Sequence, residues 1–260
     1  MTLYLDLGNT RLSGGFYEHN RWTNTFSWKV SEIFQKSPQK LGKMLASRIP
    51  SHRKISDLGI SSVNEDKNAA LRAACQENSW QPYFLSHKSC PDLKVHYTPA
   101  ESLGIDRLAN AVAATSHYPE HALLIVDMGT ATTICLVSQE KEYLGGMILP
   151  GPQMTLDALS EKTYALPKVP FQKSMTIFGQ TTQRCMLGGS YHGLLAHLWW
   201  LKKIVIRDYL KKPSPLLTIA TGGYSSFYKE EGAIDHIHPY LTLEGVRLAH
   251  KIYKKKDPLL

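Results

Sequence analysis

The stretch LLIVDMGTATTICLV, residues 123–137, decides how the rest of the chain is read. An apolar run ends in Asp127, a glycine follows at 129, four small residues fill 130–133, and a second apolar run leaves from Ile134. The β-branched content and the shortness of each run favour two strands joined by a tight turn over a helix. The turn carries one carboxylate, three hydroxyls, and a glycine that lets backbone N–H groups face outward. Such a turn can cradle a phosphate while its carboxylate holds a cation. The same residue types also make ordinary β-turns, so one copy alone does not decide the chemistry.

The device occurs twice. Leu3–Leu5 is an apolar run ending in Asp6, followed by Leu7, Gly8, Asn9 and Thr10 and a strand-like stretch to Phe16. Asp6 and Asp127, like Gly8 and Gly129, are 121 positions apart. A repeat at about half the chain length points to two similar α/β halves, each offering a strand–Asp-x-Gly–strand loop. A triphosphate is expected between the two turns. Tyr118-Pro119, in the polar stretch before the repeat restarts, is the expected boundary, giving domains 1–117 and 118–260.

Composition narrows the class. A hydrophobic content of 43% with 20% charged residues is that of a globular chain. No apolar run approaches the ~18 residues of a membrane span. The chain opens directly into a strand at Thr2–Leu5, so no secretory signal and no membrane partner are expected. Cys75, Cys90, Cys135 and Cys185 form no C-x-x-C pair, which fits free thiols in a reducing cytoplasm. The net charge of +8 would suit an anionic partner, but the basic residues are spread along the chain. Their densest run, Lys251, Lys254, Lys255 and Lys256, is expected as a solvated tail. No helix-turn-helix pattern accompanies it, and no nucleic-acid partner is expected.

Between the loops, 31–49 is amphipathic and predicts one helix, and 55–63 predicts a buried strand ending in Ser61, Ser62 and Asn64. The segment YTPAESLGIDRLAN, residues 97–110, places Asp106 and Arg107 at the start of a helix predicted over 108–116, where backbone N–H groups help bind anions. A carboxylate beside a guanidinium can accept a hydroxyl proton while the guanidinium grips an anion. It can equally be a helix cap with a surface ion pair. Further on, 144–150 predicts a strand with a sharp exit, 153–160 a helix, and 179–203 a long helix whose Gly188-Gly189 could allow close packing. Trp199, Trp200 and Leu201 are expected in the core, with a subunit interface as the second reading. A strand at 216–220 ends in Thr221-Gly222-Gly223, glycines that let backbone lie flat against a ring or sugar. The last helix is predicted over 243–253.

Taken in order, the motifs are DLGNT at 6–10, GIDR at 104–107, DMGTAT at 127–132, GGMILPG at 145–151 and TGG at 221–223. Their order and spacing resemble type III pantothenate kinase from residue 1 to about 223. The resemblance implies an α/β fold of the acetate and sugar kinase, heat-shock and actin superfamily. Two duplicated ribonuclease-H-like (actin-like ATPase) domains would hold the active site in the cleft between them. It implies transfer of the γ-phosphoryl group of ATP to the 4′-hydroxyl of pantothenate, the first step toward coenzyme A. It also implies a homodimer, Mg2+ with ATP, and a monovalent cation, K+ or NH4+.

Position by position, the resemblance makes Asp6, Leu7, Gly8, Asn9, Thr10, Arg11, Leu12 and Ser13 the first ATP loop, with Asp6 near magnesium. Asp106 matches the general base. Tyr97, Gly104, Ile105, Arg107 and Thr182 match pantothenate contacts. Asp127 matches the monovalent-cation ligand, Thr130 an ATP contact, and Thr221, Gly222 and Gly223 the adenosine side. The family commonly has Asn where this chain has Thr181, which leaves Thr181 competing with Thr182. Two alternatives stay open. One is a small-molecule kinase of the same superfamily with another substrate; the other is a non-catalytic accessory regulator that binds nucleotide or nucleic acid.

Overall fold

The computed structural model describes residues 1–35, 37–50, 54–90, 92–210 and 215–256. Its strands form two sheets. The first contains β1 (Thr2–Leu7), β2 (Arg11–Glu18), β3 (Arg21–Lys29), β4 (Asp57–Ser62) and β5 (Gln81–Phe84), in the order β3-β2-β1-β4-β5. β1, β2 and β3 pair antiparallel, while β4 and β5 continue parallel to β1. His19 and Asn20 make the β2–β3 turn with φ of 48° and 60°, the left-handed pair that suits a two-residue hairpin. Alternation does the rest: Leu3, Leu5 and Leu7 face the core, which Leu41, Leu45 and Leu71 complete from the helices.

The second sheet contains β6 (Lys94–Val95), β7 (Ala122–Met128), β8 (Ala131–Val137), β9 (Glu142–Pro150), β10 (Leu216–Thr221) and β11 (His236–Ile237). Its order is β11-β10-β7-β8-β9-β6. Apart from the extra edge strand β6, β9-β8-β7-β10-β11 repeats the order and strand directions of the first sheet. The 121-residue repeat is therefore a repeat of topology. Leu124, Val126, Ile134, Leu156, Tyr191, Leu198 and Tyr228 belong to this core.

Seven α-helices are described: α1 (Val30–Ile33), α2 (Pro38–Ala46), α3 (Glu65–Glu77), α4 (Ile105–His117), α5 (Pro152–Lys162), α6 (Thr182–Ile204) and α7 (Leu241–Lys256). The single helix expected over 31–49 is two, because Pro38 cannot continue α1. Instead it takes the first position of α2, and Ser37 Oγ accepts from the Lys40 N–H at 3.4 Å. α6 runs unbroken through Gly188-Gly189. Leu187, Tyr191, Leu198 and Leu201 make its buried stripe, whereas Trp199 and Trp200 are 44% and 56% exposed. They are not core residues: at about 100° per residue, neighbours of Leu198 and Leu201 point off the stripe.

The chain divides into two compact units, one of Met1–Leu93, Tyr97–Ala113 and the residues from Tyr240, the other of Lys94–His96 and Ala114–Pro239. The last helix, grouped by sequence with the second half, thus packs in the first unit, on β1 and β4. There Gly245 lies so close to α4 that a Cβ would collide with the Ala109 carbonyl. The basic run at 251–256 is the end of α7 and not a tail, and Lys254 Nζ pairs with Asp57 Oδ2 at 2.6 Å. Residues 257–260 lie outside the described chain.

Candidate active site

The first loop is the turn between β1 and β2. Asp6, half-buried near the end of β1, lies opposite Ser13, and Gly8 N–H closes the turn on the Arg11 carbonyl at 2.9 Å. Asn9, Thr10 and Arg11 are exposed, so backbone and side-chain donors are presented together. Leu7 and Leu12 are wholly buried, so only their backbone can serve a nucleotide. The Arg11 guanidinium is tied to Ser27, with Nε to Oγ at 2.7 Å and Nη2 to the carbonyl at 3.1 Å. Ser13 Oγ meets the same Ser27 Oγ at 2.9 Å.

The second loop repeats this geometry in its own unit. Asp127 lies opposite Thr133 on β8 and opposite Thr221 on β10, and Gly129 N–H closes on the Ala131 carbonyl at 3.0 Å. Thr130 is exposed at the tip. Gly222 has φ +86°, and a Cβ there would stand 2.6 Å from Asp127 Oδ1 and from the Met128 carbonyl. The last glycine motif is thus built against the Asp127 carboxylate, in a conformation that favours glycine. Gly151 approaches from the other side: its N–H donates to the Thr130 carbonyl at 3.0 Å, and a Cβ would collide with the Gly129 and Thr130 carbonyls. Thr221 is 2% exposed, and Gly223 is open to solvent on its Cβ side.

Asp106 occupies the first turn of α4, in the first unit. Its Oδ1 accepts from the Arg107 N–H at 2.8 Å and lies 2.6 Å from where a Cβ of residue 104 would be, so Gly104 leaves the room it occupies. Burial pushes the Asp106 carboxyl above the usual carboxylate range, opposed by the Arg107 N–H and the Arg107 charge. A half-buried carboxylate aimed by backbone and raised in basicity is suited to accept a hydroxyl proton. Arg107 is 5% exposed and holds its guanidinium 5.5 Å from the centre of the half-buried Tyr97 ring, with Nη1 donating to the Tyr97 hydroxyl at 3.5 Å. Tyr97, Gly104, Ile105, Asp106 and Arg107 are therefore one local cluster. His87 Nε2 joins the Leu103 carbonyl at 2.8 Å just before it, a support that no sequence motif announces.

Thr181 and Thr182 are separated by their work. Thr181 is the N-cap of α6, its Oγ1 accepting from the Arg184 N–H at 3.3 Å, and Thr182 is the exposed first residue of the helix. Capping explains a hydroxyl at 181 without a ligand.

The donor set fits the expected cations. Among the described residues no group of three or more His, Cys, Asp or Glu side chains could hold a metal ion. Each loop instead offers a single carboxylate. That suits Mg2+, which keeps several waters and takes other ligands from substrate phosphates. At Asp127 one carboxylate lies beside the oxygen-rich backbone of 128–130, hard donors of the kind a potassium-sized cation takes. Ser61 and Gly151 had only motif-level or turn roles in the sequence, yet both abut a loop.

A family profile described as type III pantothenate kinase matches residues 2–199. A type III pantothenate kinase of Legionella pneumophila (strain Corby) is 34% identical over 259 residues, covering 96% of this chain and 98% of the relative. Among solved structures, one named as a Baf family transcriptional activator from Campylobacter jejuni superposes with TM-score 0.60 at 21% identity, covering 99% of this chain and 100% of that one. A 2-dehydro-3-deoxygalactonokinase protein from Sinorhizobium meliloti gives 0.57 at 10% identity, with coverage of 99% and 100%. At such identities the structures speak to fold alone, which is the duplicated ribonuclease-H-like architecture of sugar kinases and actin-like ATPases.

Proposed function

The chain belongs to the type III pantothenate kinase family, and on that premise we propose that it phosphorylates pantothenate at the 4′-hydroxyl at the expense of ATP, with Asp106 as general base. The observation that carries the residue assignment is the half-buried Asp106 carboxylate, held at 2.8 Å by the Arg107 N–H and raised in basicity by desolvation. Phosphoryl transfer asks little covalent work of a protein; it needs position, charge neutralisation and a group to orient the attacking oxygen. The loop from Asp6 to Ser13 holds the phosphates, and Thr130 adds a contact to ATP. Thr221, Gly222 and Gly223 receive the adenosine side. Asp6 helps hold Mg2+, which when bound supplies charge stabilisation on the phosphoryl oxygens. Asp127 holds the monovalent cation, K+ or NH4+. Arg107 pairs with the pantothenate carboxylate, flanked by Tyr97, Gly104 and Ile105, and Thr182 adds a hydroxyl. Asp106 then takes the proton of the attacking hydroxyl.

A homodimer completes the reading. It is supported by the apolar side chains that the second unit leaves exposed, Met147 and Ile148 on β9 and Tyr164, Met175, Ile177 and Phe178 beyond α5. A cytoplasmic location is supported by four free cysteines. No helix among the described residues is long and apolar enough to cross a membrane.

The test is a coupled ADP-release assay with ATP, Mg2+ and pantothenate, in K+ and again in Na+. Release that depends on pantothenate and rises with K+ is expected. Release indifferent to pantothenate would move the substrate to another small hydroxyl compound. Release indifferent to the monovalent ion would remove that role from Asp127.

A further inference from the structure

Two buried hydroxyl residues stand at matching places in the two sheets. β1 lies parallel to β4 with Asp6 opposite Ser61, and β7 lies parallel to β10 with Asp127 opposite Thr221. Ser61 has no exposed surface, and Thr221 has 2%. Register-matched residues of neighbouring strands share a face of the sheet. The first sheet shows this two residues earlier, where a Cβ on Gly59 would stand 2.9 Å from Cδ1 of Tyr4, its partner in register. Because alternate residues return to the same face, the Ser61 side chain stands on the side of Asp6. Its Oγ is enclosed and meets no hydrogen-bond partner among the described residues. An orphaned buried hydroxyl calls for an explanation, and one is a partner whose geometry is set only when a ligand is present.

We propose that Ser61 is a positioning residue for the magnesium–nucleotide complex. When nucleotide and cation bind, the Ser61 hydroxyl donates to the Asp6 carboxylate and holds it in the rotamer that faces the cation and its water. Asp6 supplies the charge and Ser61 the aim. A donor behind a metal-binding carboxylate sets its direction, and loss of such a donor typically lowers metal affinity or activity about 10- to 100-fold. The inference rests on the assignment of Asp6 to the magnesium site.

The test uses the full chain and Mn2+ as a paramagnetic probe in the presence of ADP, beside the Mg2+ concentration that half-saturates turnover. Ser61→Ala is expected to raise both about 10- to 100-fold, with the KM for pantothenate and the melting temperature near wild type. Ser61→Thr, the residue type at the matching place in the second sheet, should restore both. Should Ser61→Ala melt early, Ser61→Cys, which keeps the volume but weakens the donor, should show the same loss. Asp6→Asn is measured alongside. Wild-type Mn2+ affinity in Ser61→Ala with a clear loss in Asp6→Asn overturns the role of Ser61 and leaves Asp6 in place. Wild-type affinity in both overturns both. A loss that Ser61→Thr does not restore marks packing and also overturns the proposal.

Discussion

Gly104→Ala puts the proposed base to a geometric test. The added methyl would stand 2.6 Å from Asp106 Oδ1, and its other neighbours, Arg107 Cδ at 3.6 Å and Asp106 Cγ at 3.7 Å, are at ordinary contact. Gly104 is not among the positive-φ glycines, so the backbone accepts alanine and the perturbation falls on the carboxylate. Real Cβ contacts begin at 3.0–3.4 Å, so the oxygen must retreat by about 0.4–0.8 Å. That retreat stretches or turns the 2.8 Å hydrogen bond from the Arg107 N–H. A misplacement of about 1 Å at a reacting group costs about 10²-fold, so kcat should fall about 10- to 100-fold, or about 1.4–2.7 kcal/mol of barrier. Loss of one hydrogen bond is worth about 0.5–1.5 kcal/mol, a drop of at most roughly 6 °C in melting temperature for a chain of this size. The assay is coupled ADP release with kcat and both KM values, beside a thermal melt. A folded variant with kcat within about twofold of wild type would refute the reasoning, because the carboxylate would then not need its place.

Asp106→Asn should lower turnover about 10²–10⁴-fold with little change in the KM for ATP. Burial raises the folded pKa of Asp106 above its unfolded value, so its ionisation weakens the fold as pH rises through the folded value. The Asn variant should therefore melt above wild type at neutral pH and converge with it below about pH 4, as pH-dependent melts would show. Arg107→Ala removes the guanidinium stacked on Tyr97 and should raise the KM for pantothenate about 10- to 100-fold, the worth of a charged hydrogen bond; an unchanged KM would take the carboxylate from Arg107. Gly222→Ala meets both φ +86° and contacts of 2.6 Å with Asp127 and Met128. It should cost at least about 1–2 kcal/mol for the left-handed backbone alone and blunt activation by K+, measured by melting and by a K+ titration.

The two loops were legible because each sets Asp-x-Gly at the end of a short apolar run, a local signal that one copy leaves open and the second copy 121 positions on decides. The GIDR segment was legible for a similar reason, since its helix starts where Asp106 and Arg107 stand. The strand order within each sheet was not, because pairing β1 with β4 joins residues about fifty positions apart and leaves no short-range trace. Trp199 and Trp200 misled because composition reports what a residue prefers, while helix phase decides which way it points. Pro38 was in plain view, yet the apolar spacing of 31–49 overrode it. The meeting of Gly222 with Asp127 leaves no trace in the sequence, because 95 positions separate the two motifs.

The return of α7 to the first unit sets the order in which a nascent chain can finish folding. β1 leaves the ribosome ahead of the strands it pairs with, but the face it shares with β4 stays uncovered until Tyr240 and the residues after it have been made. The second unit, with all its strands between Lys94 and Ile237, has what it needs before then. Synthesis therefore runs from the first unit to the second, while completion runs from the second to the first. A chain stopped at Pro239 is expected to resist protease within 114–239 and to be cut within 1–93; the opposite pattern would show that the first sheet stands without its last helix.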